Sequence, residues 1–293
     1  MRYLLLDVFT DRPFTGNPLA VFPDPAGLSD RQMQGLAAEL NLSESVFLFP
    51  PAGGGTAAVR IFTPQVELPF AGHPTLGAAA ALLLLGRATD RVVLEEGVGP
   101  VPVRVTRRDD ITVEAELTAA RPPEVGPAPA GPAELAAALG LTPGDLDPDR
   151  PARAVDAGVP YTVLPVRDLA TLGRAEPAAA RWRAVVGDGS VYVVTFDPAV
   201  TGDGPEADVR ARMFAPALGV VEDPATGSAA VALVGYLHEL GLTDRPYVVA
   251  QGVEMGRPSR LTVRADVTDG AVRASYVSGA SVLLGSGVFD RLP

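Results

Sequence analysis

"FAGHPTLGAAAALLLLG" (70–86) and "EDPATGSAAVALVGYLHELG" (222–241) decide how this chain folds. Each sets a short polar step directly before a run that is apolar on nearly every side of a helix. A helix of that kind has to be enclosed by other elements, because no face is left for water. The two runs also align. His73 falls on Ser228 and Gly72 on Gly227 at an offset of 155, and Glu67-Leu68-Pro69 falls on Glu222-Asp223-Pro224.

The alignment extends outward. "RIFTP" (60–64) recurs as "RMFAP" (212–216), and "RVVLEEGVG" (91–99) is echoed within "RPYVVAQGVEMG" (245–256), where Glu96 matches Gln251. Three ordered blocks at nearly constant spacing predict two equivalent domains. "TAARPPEVGPAPAGP" (118–132) lacks periodicity and reads as a linker. The expected division is 1–118, a linker at 119–133 and 134–280, with 281–293 returning to the first domain. "YLLLDVF", "LAVF" and "SVFLF" read as strands. "LSDRQMQGLAAELN" (28–41) reads as an amphipathic helix capped by Ser29 or Asp30. The economical architecture is α/β: a curled sheet around one central helix, made twice.

Composition narrows the function. A net charge of -11 with no lysine among the 24 basic residues argues against a nucleic-acid surface. The absence of cysteine excludes disulfides, thiolate metal sites and Cys acid–base chemistry. The longest apolar run, Leu76–Leu85, is about half a membrane span, and the N-terminus lacks a leader-peptide pattern. A cytoplasmic protein without membrane association is expected.

Chemistry is expected at the two polar steps. Helix N-termini carry unpaired N–H donors that favour carboxylates. Thr226 or Ser228 taken alone reads as a helix cap, and His73 alone as a structural hydrogen-bonder. His238, near the end of the second helix, is assigned nothing, and Gly53–Gly55 is read as a turn. Glu44 in "NLSESVFLF" stands at the edge of an apolar strand, a setting that suits a carboxyl group to proton transfer.

The set "DVFTDRPFTGNPLAVF", "LNLSESVFL", "RIFTPQVELPFAGHPTLG", "RMFAPALGVVEDPATGSAAVAL" and "QGVEMGRPSRL" resembles the PhzF family of phenazine biosynthesis proteins, from the first ten residues to about residue 260. The resemblance implies the diaminopimelate epimerase-like fold, with the active site between two similar domains. It also implies a homodimer needing no metal or organic cofactor and acting on a small carboxylate. By the same resemblance Glu44 would be the proton shuttle, assisted by His73 and Asp223. Ser228, Thr226, Gly72 and Gly227 would hold the substrate, and Asn17 would border the cleft. Cysteine-dependent epimerases and racemases of related fold work with two opposed bases. A chain without cysteine favours a proton-shift isomerase, with an epimerase or a non-catalytic binding protein as alternatives.

Overall fold

A computed structural model describes residues 1–197 and 206–293. They form two compact units, Met1–Thr118 with Ser278–Pro293, and Ala119–Val277.

The first unit runs β1 (Arg2–Val8), β2 (Asn17–Phe22), α1 (Asp30–Leu40), β3 (Glu44–Phe49), β4 (Ala57–Phe62), β5 (Glu67–Leu68), α2 (Gly72–Leu84), β6 (Arg91–Glu96), β7 (Gly99–Arg107) and β8 (Thr112–Thr118). Strand β2 lies parallel to β3, β3 antiparallel to β4, and β4 parallel to β6 and antiparallel to the short β5. Residues 281–288 pair antiparallel with β1.

The second unit repeats this pattern. It runs β9 (Glu124–Pro127), α3 (Pro132–Ala138), β10 (Arg153–Asp156), β11 (Pro160–Pro165), α4 (Leu169–Arg174), α5 (Ala179–Val185), β12 (Val191–Thr195), β13 (Val209–Ala215), β14 (Val220–Asp223), α6 (Gly227–Glu239), β15 (Tyr247–Gln251) and β16 (Ser259–Thr268); β17 (Ala271–Val288) completes the chain's strands. Here β11 is parallel to β12, β12 antiparallel to β13, and β13 parallel to β15 and antiparallel to β14. Thus the fold is a sheet-rich α+β arrangement in which each unit wraps its strands around a hydrophobic helix.

Those helices are α2 and α6. Every residue of α2 from Gly72 to Leu82 is buried, and the helix packs against β1, β2, β3, β6, β7 and β8. Gly77 permits the close approach: a Cβ there would stand 2.4 Å from Leu19 Cδ2 and 2.9 Å from Val8 Cγ2. Both helices stop at a left-handed glycine, Gly86 at φ 70° and Gly241 at φ 75°, a conformation glycine adopts without steric cost. The repeat also keeps an ion pair. Arg60 forks onto Glu67 at 2.6 Å through both Nε and Nη2. Arg212 forks onto Glu222 at 2.7 and 2.8 Å. Each guanidinium lies over the phenylalanine two residues on, at 5.2 Å from Phe62 and 4.8 Å from Phe214.

Two differences from the sequence reading have simple causes. The helices begin at Gly72 and Gly227, inside the polar steps rather than after them; Pro74 is the third helical residue, and its missing N–H is one of those left unpaired in the opening turn. Residues 119–133 are not all linker, since β9 lies there and pairs with β10, Val125 opposite Val155. Flanking prolines hide it, because they break periodicity without blocking a strand that donates on one edge only. Among the described residues, no helix is long and apolar enough to cross a membrane.

Candidate active site

In the first unit the chemistry-bearing residues gather at the start of α2. Asn17 opens β2, Glu44 opens β3 opposite Leu19 in the parallel register, and His73 is the second residue of α2. Asn17 Nδ2 lies 3.1 Å from His73 Nδ1, and Glu44 Oε2 lies 3.4 Å from the same nitrogen, with 13% of the glutamate side chain exposed. With Asn17 assigned as donor, Nδ1 accepts and the ring proton sits on Nε2. That nitrogen is buried without a hydrogen-bond partner. Burial drives the imidazole pKa down to about 3, against a smaller upward pull from the Pro18 backbone. The contact with Glu44 is therefore one between a neutral ring and a carboxyl group, not an ion pair.

This has a consequence for stability. The unfolded chain binds a proton at His73 below about pH 6.5, whereas the folded chain does so only near pH 3. Stability from this site is fully present above pH 6.5 and falls as the pH is lowered through that window, by about 1.4 kcal/mol per pH unit at the steepest. Urea denaturation of wild type and His73→Gln across these pH values should show a shallower acid loss in the variant. Parallel curves would show that His73 is not held neutral.

The second unit builds a matching cluster at the start of α6. Asp223 ends β14 and accepts a 2.5 Å hydrogen bond from the Thr226 hydroxyl. Gln251, at the end of β15, donates to the Asp223 carbonyl at 2.8 Å and to Thr226 Oγ1 at 2.9 Å. The Gln251 side-chain carbonyl accepts from Tyr192 OH at 3.1 Å. Ser228 is half-buried, 2.6 Å from Tyr161 OH. Tyr161, Tyr192 and Gln251 support this cluster but were not among the candidate residues. Only Gln251 carried a signal, its place in the repeat.

Neither central helix is capped by a side chain. Ala71 stands at the N-cap of α2 and has no side-chain oxygen, and Thr226, at the N-cap of α6, turns its hydroxyl to Asp223 instead. The expected capping role of Thr226 and Ser228 is therefore not what the fold uses. The opening N–H groups at Gly72 and Gly227 have no intrahelical acceptor, and each helix end bears partial positive charge. Both suit an anionic group. Among the described residues, no group of three or more His, Cys, Asp or Glu side chains is placed to hold a metal ion.

One carboxyl near α2 was not anticipated. Glu96 ends β6, is buried, and lies 2.7 Å from Thr75 Oγ1. Its neighbour Glu95, on the opposite face of the strand, accepts three 2.7 Å bonds from the N–H groups of Ala52, Gly53 and Gly55. Those donors, Gly55 foremost, hold Glu95 below the usual carboxylate range. Burial pushes Glu96 up to about 8, the Thr75 hydroxyl opposing. Adjacent glutamates thus carry different charge at neutral pH.

A family model described as phenazine biosynthesis-like protein (PhzC-PhzF) matches residues 6–287. The trans-2,3-dihydro-3-hydroxyanthranilate isomerase of Pseudomonas aeruginosa is 39% identical over 290 residues, covering 98% of each chain. A solved structure of a predicted epimerase from the same species superposes with a TM-score of 0.82 at 39% identity, covering 99% of both chains. A PhzF-family phenazine biosynthesis protein of Bacillus anthracis superposes with a TM-score of 0.87 at 24% identity, again over 99% of both chains.

Proposed function

The chain belongs to the phenazine biosynthesis-like PhzC-PhzF family and is an isomerase, and from that premise we propose that it moves a proton within a small unsaturated cyclic carboxylate, with Glu44 as the carrier. The observation that carries this reading is the Glu44–His73–Asn17 group at an uncapped helix start. Glu44 as carboxylate takes the proton from a substrate carbon, leaving a delocalised carbanion stabilised through the conjugated system. The resulting carboxylic acid then returns the proton to a different carbon of the same molecule. The reaction is balanced, since one C–H bond breaks, another forms and Glu44 is restored.

His73 presents a neutral imidazole whose Nε2–H can donate to developing negative charge without itself needing to lose a proton. The N–H groups at Gly72 and at Gly227, each at an uncapped helix start, are each suited to an anionic group of the substrate. Asp223, held by Thr226, accepts from substrate hydroxyl or amino groups, and Ser228, oriented by Tyr161, adds a further polar contact. In this reading Asn17 keeps the His73 ring in register.

The Pseudomonas aeruginosa relative names a substrate of this class, trans-2,3-dihydro-3-hydroxyanthranilate. Incubating the protein with that compound in deuterated water and following the ring protons by NMR tests the reading. The expected result is conversion to a positional isomer that retains part of the original hydrogen at the new carbon. Exchange at one carbon with inversion there would instead assign an epimerase. No turnover of this compound, or of other cyclic dienyl carboxylates, would sink the proton-shift reading.

A further inference from the structure

Glu96 has no part in the proton shift, yet it reaches the first turn of the same helix. The Thr75 hydroxyl lies 2.7 Å from two acceptors, the Ala71 carbonyl and Glu96 Oε1. A threonine hydroxyl has one proton to give. Both contacts are hydrogen bonds only if the second proton comes from Glu96, as Glu96 O–H to Thr75 Oγ1 and Thr75 O–H to the Ala71 carbonyl. Ala71 is the N-cap residue and His73 follows two positions later, so the chain of bonds ends on the backbone that aims the imidazole.

The repeat supplies an independent observation. The equivalent of Glu96 is Gln251, a residue that cannot ionise, and it too ties the end of its strand to the start of a central helix. Its amide donates to Thr226 Oγ1 and the Asp223 carbonyl, and its oxygen accepts from the Thr226 N–H at 3.3 Å. A protonated glutamate is the closest acidic isostere of that amide.

We propose that Glu96 is a positioning residue that works as a neutral carboxylic acid, locking the first turn of α2 and hence His73 through Thr75, as Gln251 locks the start of α6. Its surroundings leave this proton undisturbed by neighbouring charge. On α2 the sole titratable side chain is His73, which is neutral. On β7 the paired residue is Gly99. In the pocket of about 660 Å³ alongside, the charged groups are Arg60, Glu67 and Glu95. Arg60 and Glu67 are engaged with each other, and Glu95 with backbone N–H groups.

The test uses the full chain as wild type, Glu96→Gln and Glu96→Ala. Its kinetic arm rests on the proton-shift reading; its spectroscopic arms do not. Infrared difference spectra taken on either side of pH 8 should show a protonated-carboxyl carbonyl band in wild type that disappears at high pH and is missing from Glu96→Gln. With two histidines in the chain, ¹⁵N-imidazole spectra, assigned with His238→Gln, should show the His73 signal displaced in Glu96→Ala and restored in Glu96→Gln. With trans-2,3-dihydro-3-hydroxyanthranilate as substrate, Glu96→Ala should lower kcat about ten- to a hundredfold, the scale of a small misplacement of a reacting group. Wild-type kcat should fall as Glu96 ionises above about pH 8; Glu96→Gln should recover most of the activity and abolish that fall. Absence of the infrared band from wild type, or a His73 signal unmoved in Glu96→Ala, overturns the proposal. So does a Glu96→Gln enzyme as impaired as Glu96→Ala. If Glu96→Ala does not fold, the infrared comparison of wild type with Glu96→Gln decides alone. If wild type shows no turnover but both spectroscopic results hold, the reaction assignment fails and the neutral acid stands.

Discussion

Glu44→Gln should lower kcat on trans-2,3-dihydro-3-hydroxyanthranilate by about a hundred- to ten-thousand-fold, the usual contribution of a positioned general acid–base group. The amide keeps the volume of the side chain and its capacity to meet His73, but it cannot accept a proton from carbon. The loss should therefore fall on kcat, with KM changed much less, because in the proposed reading the substrate is bound through the helix starts, independently of the Glu44 charge. Deuterium uptake from solvent should be lost in parallel, since it reports the abstraction step directly. Thermal unfolding should be little altered, as the side chain sits at a strand entrance and not within a packed cluster. Full activity in the variant would remove Glu44 from the mechanism. A rise in KM with kcat intact would recast it as a binding group.

A second large effect is expected in stability, and the pseudo-repeat provides its own control. Arg212 is 9% exposed. Besides its fork onto Glu222, its Nη1 donates to the carbonyls of Leu172 at 3.0 Å and Ala175 at 2.7 Å. Arg212→Ala leaves a largely buried carboxylate and the carbonyls of Leu172, Gly173 and Ala175 without this donor, a loss on the order of 3–5 kcal/mol. Arg60 makes the same fork in the first unit, but its side chain is 31% exposed and its partners Glu67 and Asp30 are 41% and 82% exposed. Water replaces most of what is lost there, so Arg60→Ala should cost about 1 kcal/mol or less. Urea denaturation of the two variants checks the contrast. Equal losses would mean that burial does not distinguish the two pairs. Adding Glu222→Leu to an Arg212→Leu background should restore much of the stability, because an apolar pair replaces a buried ion pair at little net cost.

The parts of the fold that could be read from the sequence are those whose signal is local. The helix bodies 76–84 and 229–237 are apolar around their whole circumference, which requires enclosure whatever surrounds them. The repeated blocks "RIFTP" and "RMFAP", and Glu67 aligned with Glu222, were legible because the chain writes them twice, but only the folded chain shows that each arginine forks onto its glutamate. Strand β9 was hidden because its ladder to β10 depends on residues about 30 positions away, while its own composition is dominated by proline. At the candidate site, Glu44, His73 and Asn17 were singled out, but the sequence could not say that Asn17 holds the histidine ring. Ser228 and Tyr161 are 67 residues apart, and Tyr192 and Gln251 are 59 apart, so only the folded chain joins them. Glu96 is the instructive omission. In "RVVLEE" the inward residues are Val92, Leu94 and Glu96, so alternation alone assigns the last glutamate to the core face and marks it as unusual.

The uncapped starts of α2 and α6 bear on how far this scaffold can be hardened. A serine, threonine or aspartate at an N-cap ordinarily adds about 1 kcal/mol, and residue 71 offers an alanine where such a gain is within reach. Any oxygen placed there would compete for the donors that an anionic substrate needs, so thermal robustness and affinity would move in opposite directions. Engineering for heat tolerance is better directed at surface helix α1 or at exposed loops, with positions 71 and 226 left as they are. If the proposed substrate is held there, melting temperature is a poor guide to fitness at these two positions, where a deficit in the resting protein leaves donors open to an anion.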